Sequence, residues 1–180
     1  MAEFRLKTER LILRDWRDSD LDDFHRLGSD PEVMKTLGPL MSREQTADFI
    51  QELQRRASRY GHTVWAVERK EDQRVLGFTG LIRGQNAPIV GELEIGWRLA
   101  SDCWGQGYAT EAARASVEWA RAHCPDRVLV AITSVGNRAS RAVMERLGMT
   151  YNPTRDFDHP KVPEGDPLRP HVLYEMELAA

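Results

Sequence analysis

The sequence predicts an α/β (α+β) domain: a mixed, mostly antiparallel central sheet of six to seven strands flanked by about four helices, with residues 1–180 in one domain. Three observations lead there. Apolar alternations of strand period are interleaved with segments of helical period along the whole chain. Two polar turns, Lys70-Glu71-Asp72 and Gly84-Gln85-Asn86 with Pro88, separate three successive strand-like runs, as in an antiparallel meander. No internal repeat or low-complexity linker divides the chain.

The elements follow in order. Residues 4–6 and 10–14 read as extended, with Leu11 and Leu13 alternating against Arg10, Ile12 and Arg14. Asp18 or Ser19 is the expected cap of a short helix carrying Leu21, Phe24 and Leu27, with Asp20, Asp22 and Asp23 in its favourable first turn. Ser42 followed by Gln45 is a capping-box pattern. The helix it opens places Phe49, Ile50, Leu53 and Ala57 on one face and ends before Gly61. Residues 62–68, 74–83 and 90–99 are the meander strands. A helix over 107–123 has a narrow buried stripe of small residues, Ala109, Ala112, Ala113, Val117 and Ala120, which lets it lie close to a sheet. A strand over 127–133, a helix over 138–147 stopped by Gly148, and a strand over 171–178 complete the pattern. The proline-rich stretch 152–170 reads as a long loop, of the kind that often carries function.

Composition narrows the function. A net charge of −3 gives no reason to expect a nucleic-acid partner. The longest apolar run, Val128–Ile132, is too short to span a membrane, and the first residues lack the apolar middle of a secretory signal. Cys103 and Cys124 form no C-x-x-C pair and no disulfide framework, so two reduced thiols in a cytoplasmic protein are expected. No His/Cys/Asp spacing suggests a metal, and no Ser-His-Asp order suggests a hydrolase.

The most informative segment runs from Glu94 to Ala112. A strand ends, a turn contains Gly105-Gln106-Gly107, and a helix begins at once. The first N–H groups of a helix lack internal partners, and the helix dipole makes that end positive. Glycines let the backbone approach a phosphate without a Cβ in the way. A dinucleotide turn would need Gly or Ala where Thr110 stands, and a P-loop would need Gly-Lys-Ser/Thr, which is absent.

Trp104-Gly105-Gln106-Gly107-Tyr108-Ala109 resembles the Q/R-x-x-G-x-G/A motif of GNAT acetyltransferases, with Trp104 in place of the common Gln or Arg. The longer form through Thr110-Glu111-Ala112 is similar to the RimJ/RimL-like branch, which includes acetyltransferases of ribosomal-protein N-termini. Asn137-Arg138-Ala139-Ser140 through Gly148-Met149 resembles a second segment of the family, and Thr8-Glu9-Arg10-Leu11-Ile12-Leu13-Arg14 resembles the branch's opening. The resemblance implies a GNAT fold, acetyl-CoA as co-substrate without a metal, and transfer of acetyl to a primary amine. The acceptor is a protein N-terminus, as the branch implies, or a small-molecule amine. A non-catalytic CoA-binding sensor is the alternative, and a homodimer is left open.

The resemblance also assigns residues. Gly105, Gln106, Gly107, Tyr108, Ala109 and Thr110 fall where the family binds the CoA pyrophosphate through backbone N–H groups. Trp97, Arg98 and Leu99 fall on the strand whose main chain meets the pantetheine arm, and the N–H groups near Leu99 and Ala100 are expected to face the oxyanion. Asn137 is placed against the CoA arm, and Arg141 against a CoA phosphate or solvent. Glu94 matches a carboxylate used as general base; strand alternation puts Glu92, Glu94 and Arg98 on one face, with Glu92 second choice or either glutamate paired to Arg98. Many family members carry a Tyr as general acid where Met144 stands; the RimJ/RimL-like branch offers a Ser, which matches Ser140, as donor to the leaving sulfur, the alternatives being a helix-start serine bonded to backbone and water as the acid. Asp156, Asp158 and His159 on the long loop, and His171 and Tyr174 on the last strand, are candidate acceptor-site residues, the aspartates suiting a cationic amine.

Overall fold

A computed structural model describes residues 3–178. Among them the strands are β1 Arg5–Lys7, β2 Leu11–Arg14, β3 Val64–Arg69, β4 Val75–Arg83, β5 Leu93–Leu99, β6 Val128–Ser134, β7 Thr150–Tyr151, β8 Phe157–Asp158 and β9 Pro170–Glu177. The helices are α1 Leu21–Gly28, α2 Pro31–Met34, α3 Arg43–Tyr60, α4 Tyr108–His123 and α5 Arg138–Arg146. The sheet order is β1-β2-β3-β4-β5-β6-β9-β7, and β8 also pairs with β9. Every pairing is antiparallel except β5 with β6. The sheet is therefore mixed and mostly antiparallel as expected, with two-residue strands raising the count to nine.

Helices cover both faces. Phe24 of α1 and Phe49 of α3 meet Phe78 of β4 at ring-centroid distances of 5.8 and 6.0 Å. On the other face Trp119 of α4 meets Trp65 of β3 at 5.2 Å. The stripe on α4 is as small as its sequence implies: Ala112, Ala113, Ser116 and Ala120 are all fully buried. α3 begins with the capping box, Ser42 Oγ accepting from the Gln45 N–H and the Gln45 side chain accepting from the Ser42 N–H.

Three local expectations change. Asp20, rather than Asp18 or Ser19, secures the entry to α1: its carboxylate accepts from the Arg17 N–H at 2.8 Å. The short helix α2 was not expected, although Asp30 caps it and Pro31 opens it, a known start signal. The stretch 152–170 is a folded flap. Asn152 caps a 3-10 turn over Pro153–Arg155, β8 pairs back on β9, and the Arg169 guanidinium meets the Asp158 carboxylate and donates to the Val162 carbonyl.

Alternation also misplaces Arg14, which is 2% exposed. Its guanidinium meets Asp20 Oδ2 at 2.7 Å and Glu68 Oε2 at 2.6 Å. Burial alone weakens its hold on the proton; the hydrogen bonds to both carboxylates more than reverse that and raise its pKa. Arg14→Met leaves two carboxylates without their cation in a buried setting. It is expected to cost about 3–5 kcal/mol in urea unfolding, the range for breaking a buried pair from one side. A loss below about 1 kcal/mol would show that water compensates the carboxylates.

Candidate active site

β5 and β6 define the site by parting. Their parallel pairing is Leu93 with Leu129 and Glu94 with Val130; beyond that fork β5 continues through Leu99 without a partner on that edge. The Ala100 N–H donates to the Leu76 carbonyl at 2.8 Å, which fixes the phase of the β4–β5 ladder. In an antiparallel ladder residues alternate, so Trp97 and Leu99 turn their main-chain groups away from β4 and toward the gap. The Ala100 N–H is thus already used, contrary to its expected part in an oxyanion site, while that of Leu99 faces the opening.

A cleft of about 1260 Å³ runs through this fork. That exceeds the roughly 300–1,000 Å³ of a pocket for one drug-sized ligand and suits two reactants. Its wall on the α4 side is the turn between β5 and α4. Gly105 and Gly107 adopt φ of +75° and +82°, the left-handed region that glycine enters without steric cost. Among the described residues, the backbone N–H groups from Gly105 to Thr110 have no partner within the chain; the first helical bond runs from the Glu111 N–H to the Gly107 carbonyl. Such a row at a helix N-terminus is a seat for an anion.

The turn is braced by residues whose role the sequence did not reveal. Arg10 donates from Nη1 to the Gln106 carbonyl at 2.9 Å and lies 4.4 Å from the centre of the Tyr108 ring. Its Nε meets Glu111 at 2.7 Å, and the Thr8 hydroxyl donates to the same carboxylate at 2.6 Å. Burial opposes ionisation of Glu111, but these hydrogen bonds prevail and hold its pKa below the usual carboxylate range. The Trp104 indole N–H donates to the Leu99 carbonyl at 2.8 Å and ties the turn to the end of β5. The only signal in the sequence was that Thr8, Arg10 and Glu111 all fell within the family-like segments. Lys7, Arg10, Arg114 and Arg146 also line the cleft, interleaved with Glu9, Glu111 and Glu118.

On the α5 side, Asn137 Oδ1 accepts from the Ser140 N–H at 3.1 Å as the helix cap, which leaves its amide donors available in the cleft. The Ser140 hydroxyl lines the same cleft and has no partner among the described residues. Met144 is buried beside it and supplies no proton donor.

Glu94, Gly96 and Arg98 share the sheet face under α3. Glu94 is half-buried at the fork. Desolvation raises its pKa from 4.5 to about 7, against a smaller opposing pull from the Arg56 charge. A carboxylate so placed can accept a proton near neutral pH.

The structure therefore gathers Glu94, Trp97, Arg98, Leu99, Gly105, Gly107, Tyr108, Ala109, Thr110, Asn137 and Ser140 around one cleft. Gln106 sits on the outer side of the turn and contributes its carbonyl to Arg10. His159 lines an adjoining pocket of about 170 Å³ that shares Glu94 and Arg56 with the cleft. Burial, then the charges of His171 and Lys161, lower its pKa.

Four expectations fail on geometry. Glu92 precedes β5 and is paired with Arg155 at 2.5 Å. Tyr174, 2% exposed, faces α5, and its hydroxyl donates to Glu145 and accepts from Arg141. The phase of β9 puts even-numbered residues on the α5 face, which the sequence alone did not reveal. Asp156 is exposed and accepts from the Tyr151 hydroxyl, away from the cleft. Arg141 is bound to Tyr174 and the Val135 carbonyl instead of facing a phosphate or standing free in solvent.

Residues 10–150 match the acetyltransferase (GNAT) domain family. The chain belongs to that family. It is 35% identical over 156 residues to the uncharacterized protein YkkB of Bacillus subtilis (strain 168), covering 85% of this chain and 89% of that protein. The acetyltransferase from Agrobacterium tumefaciens str. C58 superposes with a TM-score of 0.78 at 28% identity, covering 98% of this chain and 95% of that one. The ribosomal L7/L12 alpha-N-protein acetyltransferase RimL, in complex with coenzyme A, shares the fold with a TM-score of 0.78 at 20% identity over 97% and 98% of the two chains. This GNAT protein is an acetyl-CoA-dependent acyltransferase. Its residues fit the co-substrate: a row of free N–H groups for the pyrophosphate, an open strand edge for the pantetheine amides, and arginines for further phosphate. No helix is long and apolar enough to cross a membrane among the described residues.

Proposed function

We propose that the protein transfers acetyl to a primary amine by direct attack, with Glu94 as general base. The observation that carries this reading is the half-buried Glu94 carboxylate at the fork of β5 and β6, with a pKa of about 7. Bound acetyl-CoA supplies an acyl thioester. Glu94 takes a proton from the incoming ammonium, directly or through one water, and so supplies the neutral amine as nucleophile. The Leu99 N–H offers a hydrogen bond to the carbonyl oxygen as negative charge develops there. As the new N–C bond forms and the C–S bond breaks, Ser140 Oγ passes a proton to the departing sulfur and is reprotonated through water by the proton that the attacking nitrogen loses. The backbone of Gly105–Thr110 and the Asn137 amide hold and orient the co-substrate from the opposite side of the sheet.

The test is a panel of primary amines incubated with acetyl-CoA, following thiol release and confirming a product 42 mass units heavier than the acceptor, the mass of the added acetyl unit. Acetylated product from some members of the panel is expected. Binding of acetyl-CoA with no amine acetylated would favour a CoA-binding sensor. Ser140→Ala is expected to slow kcat by roughly tenfold to a hundredfold, near or below the lower end for acid–base assistance, since water can also protonate a thiolate. An unchanged kcat would remove Ser140 from the proton path.

A further inference from the structure

The part of the cleft under α3 holds a cation without a counter-charge. Arg98 projects from β5 on the same face as Glu94, into walls built from Val33, Leu37, Phe49 and Phe78. Its Nε is buried and makes no hydrogen bond. Nη1 reaches only the Met41 sulfur at 3.5 Å, and the guanidinium carbon stands 5.4 Å from the Phe78 ring centre. Among the described residues no carboxylate lies in ion-pair range of it. Desolvation lowers its pKa to about 10, which still leaves it charged at neutral pH. Among the described residues, the other charged side chains in this part of the cleft are Glu94, which titrates near neutrality, and Arg56, which is shared with Glu52. The carboxylates expected to attract a cationic amine, Asp156 and Asp158, lie outside it.

A half-buried cation with no counter-charge and a buried, unpartnered Nε is costly unless something compensates it, and the rigid fork of arginine matches a carboxylate in two parallel hydrogen bonds. We propose that the acceptor is an amine that also bears a carboxylate, and that Arg98 holds this carboxylate while the amine meets Glu94. The inference rests on the reading of Glu94 as the base. Four residues of strand separate the two side chains, on the order of 13 Å between their Cα atoms. An ω-amino acid or a short peptide spans more of that than an α-amino acid, with one carbon between its two groups, and a polyamine presents the wrong charge.

Matched acceptors test this: 6-aminohexanoate against 6-aminohexanamide, and Ala-Gly-Gly against its C-terminal amide, with cadaverine as the cationic control. In the wild type, kcat/KM is expected to be at least tenfold higher for each carboxylate than for its amide. That ratio is expected to fall below threefold in Arg98→Met and to recover partly in Arg98→Lys. A second readout needs no turnover. With CoA present, N-acetyl-6-aminohexanoate is expected to raise the melting temperature of the wild type above the effect of its amide, and this difference is expected to vanish in Arg98→Met. Equal behaviour of carboxylate and amide in the wild type overturns the proposal, whether or not the variants fold, as does a preference that persists in Arg98→Met. If carboxylates bind selectively but no amine is acetylated, the Arg98 site stands and the general-base reading falls. If amines are acetylated without carboxylate preference, the reverse holds.

Discussion

Glu94→Gln is expected to lower kcat by about 10²–10⁴-fold, the usual worth of a positioned acid–base group. The amide keeps the shape and most of the polarity of the side chain but cannot take a proton. In the wild type, kcat/KM should rise with pH through a limb near pH 7, where Glu94 loses its proton. In the variant that limb should disappear, leaving only the rise that follows the acceptor's own deprotonation. Stability supplies an independent check of the same group. Its folded pKa of about 7 lies above the 4.5 of the open chain, so the folded state binds more protons between those values. The wild type therefore loses stability as pH rises from about 4.5 through 7, where a buried carboxylate must ionise. The Gln variant has no such term, and its melting temperature relative to wild type should be higher at pH 8 than at pH 5. A kcat within tenfold of wild type, together with an intact pH limb, would remove Glu94 from the proton path.

The same residue shows how far a sequence carries a site. Glu94 was singled out because its place in Glu-Ile-Gly-Trp-Arg-Leu, before a glycine turn and a helix start, resembles that of a carboxylate in the family, and the structure sets it at the fork of β5 and β6. The turn was legible on its own, since unpartnered N–H groups follow from helix geometry whatever the side chains. The long elements α3, α4 and β4 were legible from periodicity and capping. Arg14 was not, because strand alternation gives the two faces of a strand and not what covers each. The polar-looking face of β2 is roofed by the entry to α1, and only the partners Asp20, on that entry, and Glu68, distant in sequence, make an arginine tolerable there. Tyr174 failed for a related reason. Leu173 and Tyr174 are both buried and suit either phase of β9, and the choice is made by pairing with β6. The two-residue strands β7 and β8 are too short to show alternation at all.

Arg98 lies between these cases. Its place on the strand was legible, and so was its sharing a face with Glu94. What no sequence pattern showed is that the carboxylates nearest in the pattern go elsewhere: Glu92 to Arg155, Asp158 to Arg169. Around Arg98 the local charge thus differs from what the aspartates of the flap suggested. A protein of net charge −3 has Arg10, Arg114 and Arg146 along one part of its cleft and Arg98 along another.

Gly107→Pro is expected to abolish acetyl-CoA binding while leaving the sheet intact. Residue 107 sits at φ +82°, and proline holds φ near −65°, so the turn must reorganise and one of the free N–H groups is removed outright. In the wild type, acetyl-CoA at ~100 times its Kd adds roughly 2.7 kcal/mol to the folding free energy, read as an upward shift of the melting temperature. That shift should be absent in Gly107→Pro, with far-UV circular dichroism confirming a folded chain. Gly107→Ala separates the two causes. An added Cβ meets nothing closer than Arg10 Nη2 at 3.5 Å, so space is adequate and the N–H is kept. Only the left-handed conformation is penalised, at about 1–2 kcal/mol. The Ala variant should therefore melt lower than wild type yet keep most of the ligand-induced shift, while Pro loses both. Equal shifts in wild type and Gly107→Pro would move the pyrophosphate away from this turn. Loss of the shift in both variants would show that binding needs the flexibility of glycine rather than the N–H it leaves free.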